Sequence, residues 1–207
     1  MRLAELEGKY DSIFSLGDLC LASIQLEKNN LRLFSGVLDW VGSPQLPEVS
    51  RLLMNRFTGF MELENLRVVG DAGADMLLVS DEYYHIFSNH DFSKVLNPNN
   101  NLFDYPNVKQ KFDRRIQRFL EKMENSERIL FVRTEGNLQE VYDLQMVLAG
   151  LVKHDFRILV INHAPVDGIV ELNWPIEKVC AVQFPDGEKW AGNDELWKTM
   201  LKGIHHL

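Results

Sequence analysis

Arg128-Ile-Leu-Phe-Val-Arg-Thr-Glu-Gly-Asn-Leu-Gln-Glu-Val-Tyr-Asp-Leu-Gln-Met-Val-Leu-Ala-Gly-Leu-Val-Lys-His-Asp-Phe-Arg-Ile-Leu-Val-Ile-Asn162 reads as strand, helix, strand. Arg128–Arg133 and Arg157–Asn162 are short, continuous apolar runs, the pattern of strands buried on both faces. Between them, Asn137 is placed as an N-cap with Glu140 three residues on, a capping-box arrangement. Leu138, Val141, Tyr142, Gln145, Leu148 and Val152 then mark the inward face of a helix. Two strands joined by a helix of this length form a right-handed crossover, so they run parallel. Parallel pairs need cover on both sides. The spacing therefore predicts an α/β fold of three layers, a mostly parallel sheet with helices on both faces. Residues 1–207 are long enough for one substantial core and are taken as a single domain.

Working outward, Lys178–Phe184 is a further strand in which Cys180 packs, and Asn193–Leu207 a terminal helix with His205 and His206 exposed at its end. Val108–Asn125 is a strong helix, with Phe112, Ile116, Phe119, Leu120 and Met123 on one face. Arg114, Arg115 and Arg118 cluster elsewhere on it, either as a solvated surface or as an anion-recognition face, since Arg suits carboxylate and phosphate. Pro47 opens a helix running to Phe57, buried through Val49, Leu52, Leu53 and Phe57. Leu66–Val69 and Met76–Val79 form a hairpin about the turn at 70–75. Tyr83–Phe87 reads as a strand in which His85 is packed, while His90 lies beyond its end. The polar stretch Asn97–Asn101, continuing to Tyr105-Pro106, is a candidate lid.

Composition narrows the function classes. The net charge of -8, with 22 basic against 30 acidic residues, argues against a general nucleic-acid binder. No window approaches the roughly 18 apolar residues of a membrane span, and the N-terminal residues lack the apolar core of a signal peptide. Two cysteines 160 positions apart form neither a metal motif nor a disulfide framework, which points to a reduced, cytoplasmic setting. No Walker loop, dinucleotide fingerprint or zinc-binding helix occurs, so no cofactor and no metal are expected. The expected partner is a small-molecule, peptide or glycan substrate, with no nucleic acid and no membrane.

The chemistry centres on Tyr10-Asp-Ser-Ile-Phe-Ser-Leu-Gly-Asp-Leu-Cys20-Leu-Ala-Ser-Ile-Gln-Leu26. Ile13, Phe14 and Leu16 suggest a short strand, broken by Gly17-Asp18, and a helix follows with Asp18 as N-cap and Cys20 in its first turn. Unpaired N–H groups and the helix dipole there favour a thiolate. Leu16-Gly17-Asp18-Leu19 is similar to the opening of GDSL esterases, but Leu19 stands where their serine belongs. The candidate set is Cys20 as nucleophile, His90 as base, and Asp39 or Asn162 as the orienting group, with Asp91 less suited because it adjoins His90. Trp40 is a candidate pocket wall. Two other readings stand beside it. In one, Cys20 only packs, and Arg115, Arg118 and Arg133 hold an anionic ligand. In the other, a transferase site uses the carboxyl ends of the central strands.

Several short motifs occur in order along the chain: Ser15-Leu-Gly-Asp-Leu-Cys20, Leu31-Arg, Ser35-Gly-Val-Leu-Asp39-Trp40, Asn89-His90-Asp91-Phe92, Phe112-Asp-Arg-Arg115-Ile and Ile129-Leu-Phe-Val-Arg133. Together, from about Tyr10 to Asn162, they resemble an uncharacterised bacterial family described as papain-like cysteine peptidases. The resemblance implies a Cys–His pair at Cys20 and His90, with Asp39 and the motif arginines as further site residues. In this chain Val37-Leu38 replaces the Pro-Phe more frequent before Asp-Trp in that family. Papain proper has a glutamine upstream of its nucleophile and an aromatic after it; this chain has no Gln before Cys20, and Leu21 follows it. Papain's antiparallel barrel also differs from the parallel sheet that the spacing predicts.

Overall fold

The computed structural model describes residues 1–207. In chain order its elements are β1 (Gly8–Tyr10), β2 (Ser12–Ser15), α1 (Leu21–Lys28), β3 (Val41–Gly42), α2 (Leu46–Met54), β4 (Leu66–Ala72), β5 (Met76–Asp81) and β6 (Ile86–Ser88). They continue with α3 (Tyr105–Asn125), β7 (Arg128–Thr134), α4 (Leu138–Leu151), β8 (Asp155–Ala164), β9 (Val170–Glu171), β10 (Val179–Pro185), α5 (Asp194–Leu201) and β11 (Ile204–His206). Single turns of 3-10 helix occur at Leu3–Glu5, Leu63–Asn65 and Pro98–Asn100.

The central sheet has the order β2-β7-β8-β10-β9, parallel except for β9 at the edge. Its continuous apolar runs are explained by cover on both faces. Ile129, Phe131, Ile158, Val160, Val179 and Ala181 point into one core, shared with α2, α3 and α4. The alternating residues Leu130, Val132, Leu159, Ile161, Cys180 and Val182 point into the other, shared with α1 and α5. The α/β architecture of three layers follows from this division. Each fully buried apolar side chain contributes about 1.5–3 kcal/mol of transfer free energy. Cys180 is sealed in the second core, and burial pushes its thiol up to about 12.

Outside the central sheet, β3, β6, β5 and β4 form a four-stranded antiparallel sheet, and its hairpin β4–β5 is where the sequence places one. Four local readings are corrected. Tyr83, Tyr84 and His85 form a turn rather than a strand, and His85 is exposed at φ +51°. Asp81 Oδ1 fixes that turn by accepting from the N–H groups of Tyr83 and Tyr84, each at 3.0 Å. On α4, Leu138 and Tyr142 are exposed, and the buried stripe is Val141, Leu144 and Leu148. Helix α2 stops at Met54 because Arg56 and Phe57 take left-handed φ values, though Phe57 stays in the core. The terminal helix stops at Leu201, and Ile204–His206 becomes β11, paired in parallel with β1. No helix is long and apolar enough to cross a membrane.

Candidate active site

Strand β2 delivers the chain to the carboxyl edge of the sheet, where Leu16 N–H still donates to Val132 O at 2.8 Å. Gly17 at φ +82° and Asp18 at φ +75° then turn it sharply. Ser43 braces the turn: its Oγ accepts from Asp18 N–H at 3.0 Å, and its own N–H donates to Asp18 O at 2.7 Å. The left-handed φ takes Asp18 out of the capping role, so the N-cap of α1 is Cys20 itself. A Cβ on Gly17 would lie 2.2 Å from Ser43 Oγ. Gly17→Ala is therefore expected to destabilise the fold by roughly 1–3 kcal/mol, from φ strain and this clash. Urea denaturation checks this, and an unchanged midpoint would show the turn to be soft.

His90 reaches Cys20 from 70 residues away. Strands β3 and β6 pair antiparallel with Val41 opposite Ser88, so Trp40 and the residues following Ser88 emerge at the same end. His90 Nε2 lies 3.9 Å from Cys20 Sγ, and the Trp40 ring meets the His90 ring edge-on at 5.7 Å between centroids. Cys20 is 9% exposed. Burial pushes its thiol above the ordinary value, opposed by its own backbone N–H. The N–H groups of Leu21, Ala22 and Ser23 at the start of α1 have no acceptor within the chain.

The other candidate residues are placed as follows. Asp39 is buried and accepts from Gly36 N–H at 2.7 Å and from Arg32 Nη1 at 3.4 Å. Burial holds its carboxyl above the usual range, with the Gly36 N–H and the Arg32 charge pulling it back. It makes no hydrogen bond to His90; the link runs through Arg32, whose guanidinium lies over the Trp40 ring at 5.0 Å. Asp91 accepts from Ser88 Oγ at 2.7 Å and pairs with Lys111 at 2.5 Å, tying the His90 loop to α3. Asn162 makes two hydrogen bonds with the Gly136 backbone, each 2.9 Å. Arg115 sits on α3 with its Nη1 buried and unpartnered. Arg133 is 0% exposed. It donates to Leu16 O at 2.9 Å, Ser43 Oγ at 3.1 Å, Ser43 O at 2.8 Å and Glu135 O at 3.2 Å. Arg133 thus clamps the turn before Cys20 and offers no donor at the surface.

Arg32 and Ser43 escape the sequence reading. Arg32 belongs to the Leu31-Arg motif, which is a signal without a role attached. Ser43 lies in a Gly-Ser-Pro turn, where a hydroxyl has many ordinary uses. Farther along the same edge, Glu135, Gly136, Asn162, Trp174 and Gln183 help line an open cleft of about 600 Å³ at the carboxyl ends of β7, β8 and β10. No three His, Cys, Asp or Glu side chains converge to hold a metal ion. The loop considered as a lid is tied down by Asn97, whose Oδ1 accepts from Asp104 N–H at 2.9 Å and whose Nδ2 donates to Ser93 O at 2.8 Å.

Among curated proteins, the chain is similar to uncharacterized protein R408 of Acanthamoeba polyphaga mimivirus, 26% identical over 140 residues. That alignment spans 60% of this chain and 62% of the relative, which is viral rather than bacterial. No solved structure matches the chain. A family model described as "Putative papain-like cysteine peptidase (DUF1796)" matches residues 11–165, which include Cys20, His90, Asp39, Trp40, Arg115 and Arg133. The chain belongs to that family.

Proposed function

We propose that the protein is a cysteine-dependent hydrolase or acyltransferase acting on an amide, ester or thioester, with Cys20 as nucleophile and His90 as its base. The observation that carries this reading is the 3.9 Å approach of Cys20 Sγ to His90 Nε2. Burial keeps the resting thiol protonated, so His90 takes the proton as sulfur attacks the carbonyl carbon. The charge developing on the carbonyl oxygen meets the unpaired N–H groups that open α1. His90 then returns the proton to the leaving amine, alkoxide or thiolate, and water or another acceptor releases the acyl group. His90 has no carboxylate or amide as third partner, and Trp40 sets its ring orientation by packing. Asp39 is a positioning residue that acts through Arg32 and Trp40. A cytoplasmic setting suits a free thiol that must stay reduced.

The raised thiol sets a pH dependence. The thiolate becomes abundant only above the ordinary thiol value of about 8.5, so alkylation of Cys20 by iodoacetamide should climb through and beyond that pH. Peptide mapping by mass spectrometry measures it. A rate already level between pH 5 and 7 would instead reveal a preformed thiolate–imidazolium pair, with the proton moved before attack rather than during it.

A further inference from the structure

Two guanidinium groups near the loops that carry Trp40 and His90 hold buried donors without acceptors. Arg115 Nη1 is one, and Arg32 Nε is the other, on a side chain only 10% exposed. The carboxylates whose charges reach Arg115 are Asp91, next to His90, and Asp39, next to Trp40. Lys111, one helical turn before Arg115 on α3, pairs with Asp91 at 2.5 Å, and Arg118, one turn after it, lies over the Phe34 ring at 4.7 Å, so α3 carries Arg115 between the His90 loop and the segment that leads to Asp39 and Trp40. Neither carboxylate accepts from it. Asp91 is engaged by Ser88 and Lys111, and Asp39 by Gly36 and Arg32. Along α3 its charged neighbours Arg114 and Arg118 oppose it, and its contact on the helix is the Phe112 ring at 5.7 Å. A buried N–H of a charged group left unpaired forfeits its solvation without recompense, and such orphans call for a partner.

We propose that Arg115 reads an anion in the Cys20 site, and that the substrate carries a carboxylate close to the carbonyl that Cys20 attacks. The inference rests on Cys20 being the nucleophile. A planar, singly charged carboxylate matches the guanidinium fork, whereas a phosphate dianion, with twice the charge, would be repelled more strongly by the Asp39 and Asp91 carboxylates. Arg115 is thus a specificity-determining residue for the acyl group.

The test compares alkylation of Cys20 by iodoacetate, which bears a carboxylate beside its reacting carbon, with alkylation by neutral iodoacetamide. Arg115→Met should lower the iodoacetate-to-iodoacetamide rate ratio about tenfold, the value of one charge-assisted hydrogen bond. Arg115→Lys, which keeps the charge and loses the fork, should fall between. A ratio identical in wild type and Arg115→Met overturns the anion site and leaves the nucleophile standing. Failure of iodoacetamide to modify Cys20 in the folded protein removes the nucleophile, and the inference with it. A second measurement uses wild type alone, in case Arg115→Met fails to fold. Succinate should slow iodoacetamide modification of Cys20 at concentrations where succinamide does not. Equal protection by succinamide, or better protection by inorganic phosphate, overturns the assignment to a carboxylate.

Discussion

Cys20→Ala is expected to abolish turnover, by about 10³-fold or more, on any ester or thioester the protein hydrolyses. The sulfur supplies the bond that forms with the carbonyl carbon, and nothing else in the site can replace it. His90→Ala should cost roughly 10²–10⁴-fold, because attack then has no base at 3.9 Å to take the thiol proton. The double variant should be barely worse than Cys20→Ala, since the two groups act as one unit. Release of p-nitrophenol from activated esters, with trapping of acyl-Cys20 by mass spectrometry, measures all three. Circular dichroism melting should show Cys20→Ala folded, because the thiol makes no hydrogen bond in the structure other than the long contact to His90. Retention of turnover in Cys20→Ala would end the proposed mechanism.

Arg133→Met is expected to be the most damaging substitution for stability, at about 3–5 kcal/mol. The side chain is fully buried, and its loss strands Leu16 O, Ser43 O and Glu135 O without this donor, while Ser43 Oγ keeps only the Asp18 N–H. Each orphaned acceptor adds a desolvation cost. Burial lowers the guanidinium to about 10, still charged at neutral pH, with Asp18 the leading charge in its support. Arg133→Lys keeps that charge but cannot span the same acceptors, so its urea midpoint should lie between those of wild type and Arg133→Met. Because the clamp ends on Leu16 and Ser43, the loss should also slow Cys20 acylation in whatever fraction remains folded. A midpoint shift worth under about 1 kcal/mol would mean that water replaces the clamp.

Much of the fold is legible in the residues from Arg128 to Asn162. The apolar runs of β7 and β8 lack alternation because both of their faces are covered, and the capping box at Asn137–Glu140 starts α4 as its side chains require. Local pattern misleads where a single long-range contact outweighs it. Tyr83 to Phe87 has strand-forming side chains, yet the Asp81 carboxylate captures two of its N–H groups and makes a turn. Ile204–His206 reads as the end of a helix, yet it pairs with β1 at the far end of the chain, and His206 Nε2 bonds Leu31 O at 2.9 Å. Asp18 looks like an N-cap by composition, but Ser43 and Gly17 hold it in a left-handed turn and the cap passes to Cys20.

The site divides in the same way. Cys20 and His90 stand out as residue types in motifs, but their distance depends on the register of β3 against β6, which no local pattern encodes. Arg115 and Arg133 look alike in sequence, both charged and both in motifs. One is left with an unpaired donor beside the histidine loop, and the other is consumed by backbone carbonyls. By itself, the sequence determined the layers, because burial on two faces writes its pattern into neighbouring residues. Tertiary structure alone decided which thiol meets which imidazole and which guanidinium is free, because those depend on contacts made 70 or more residues apart.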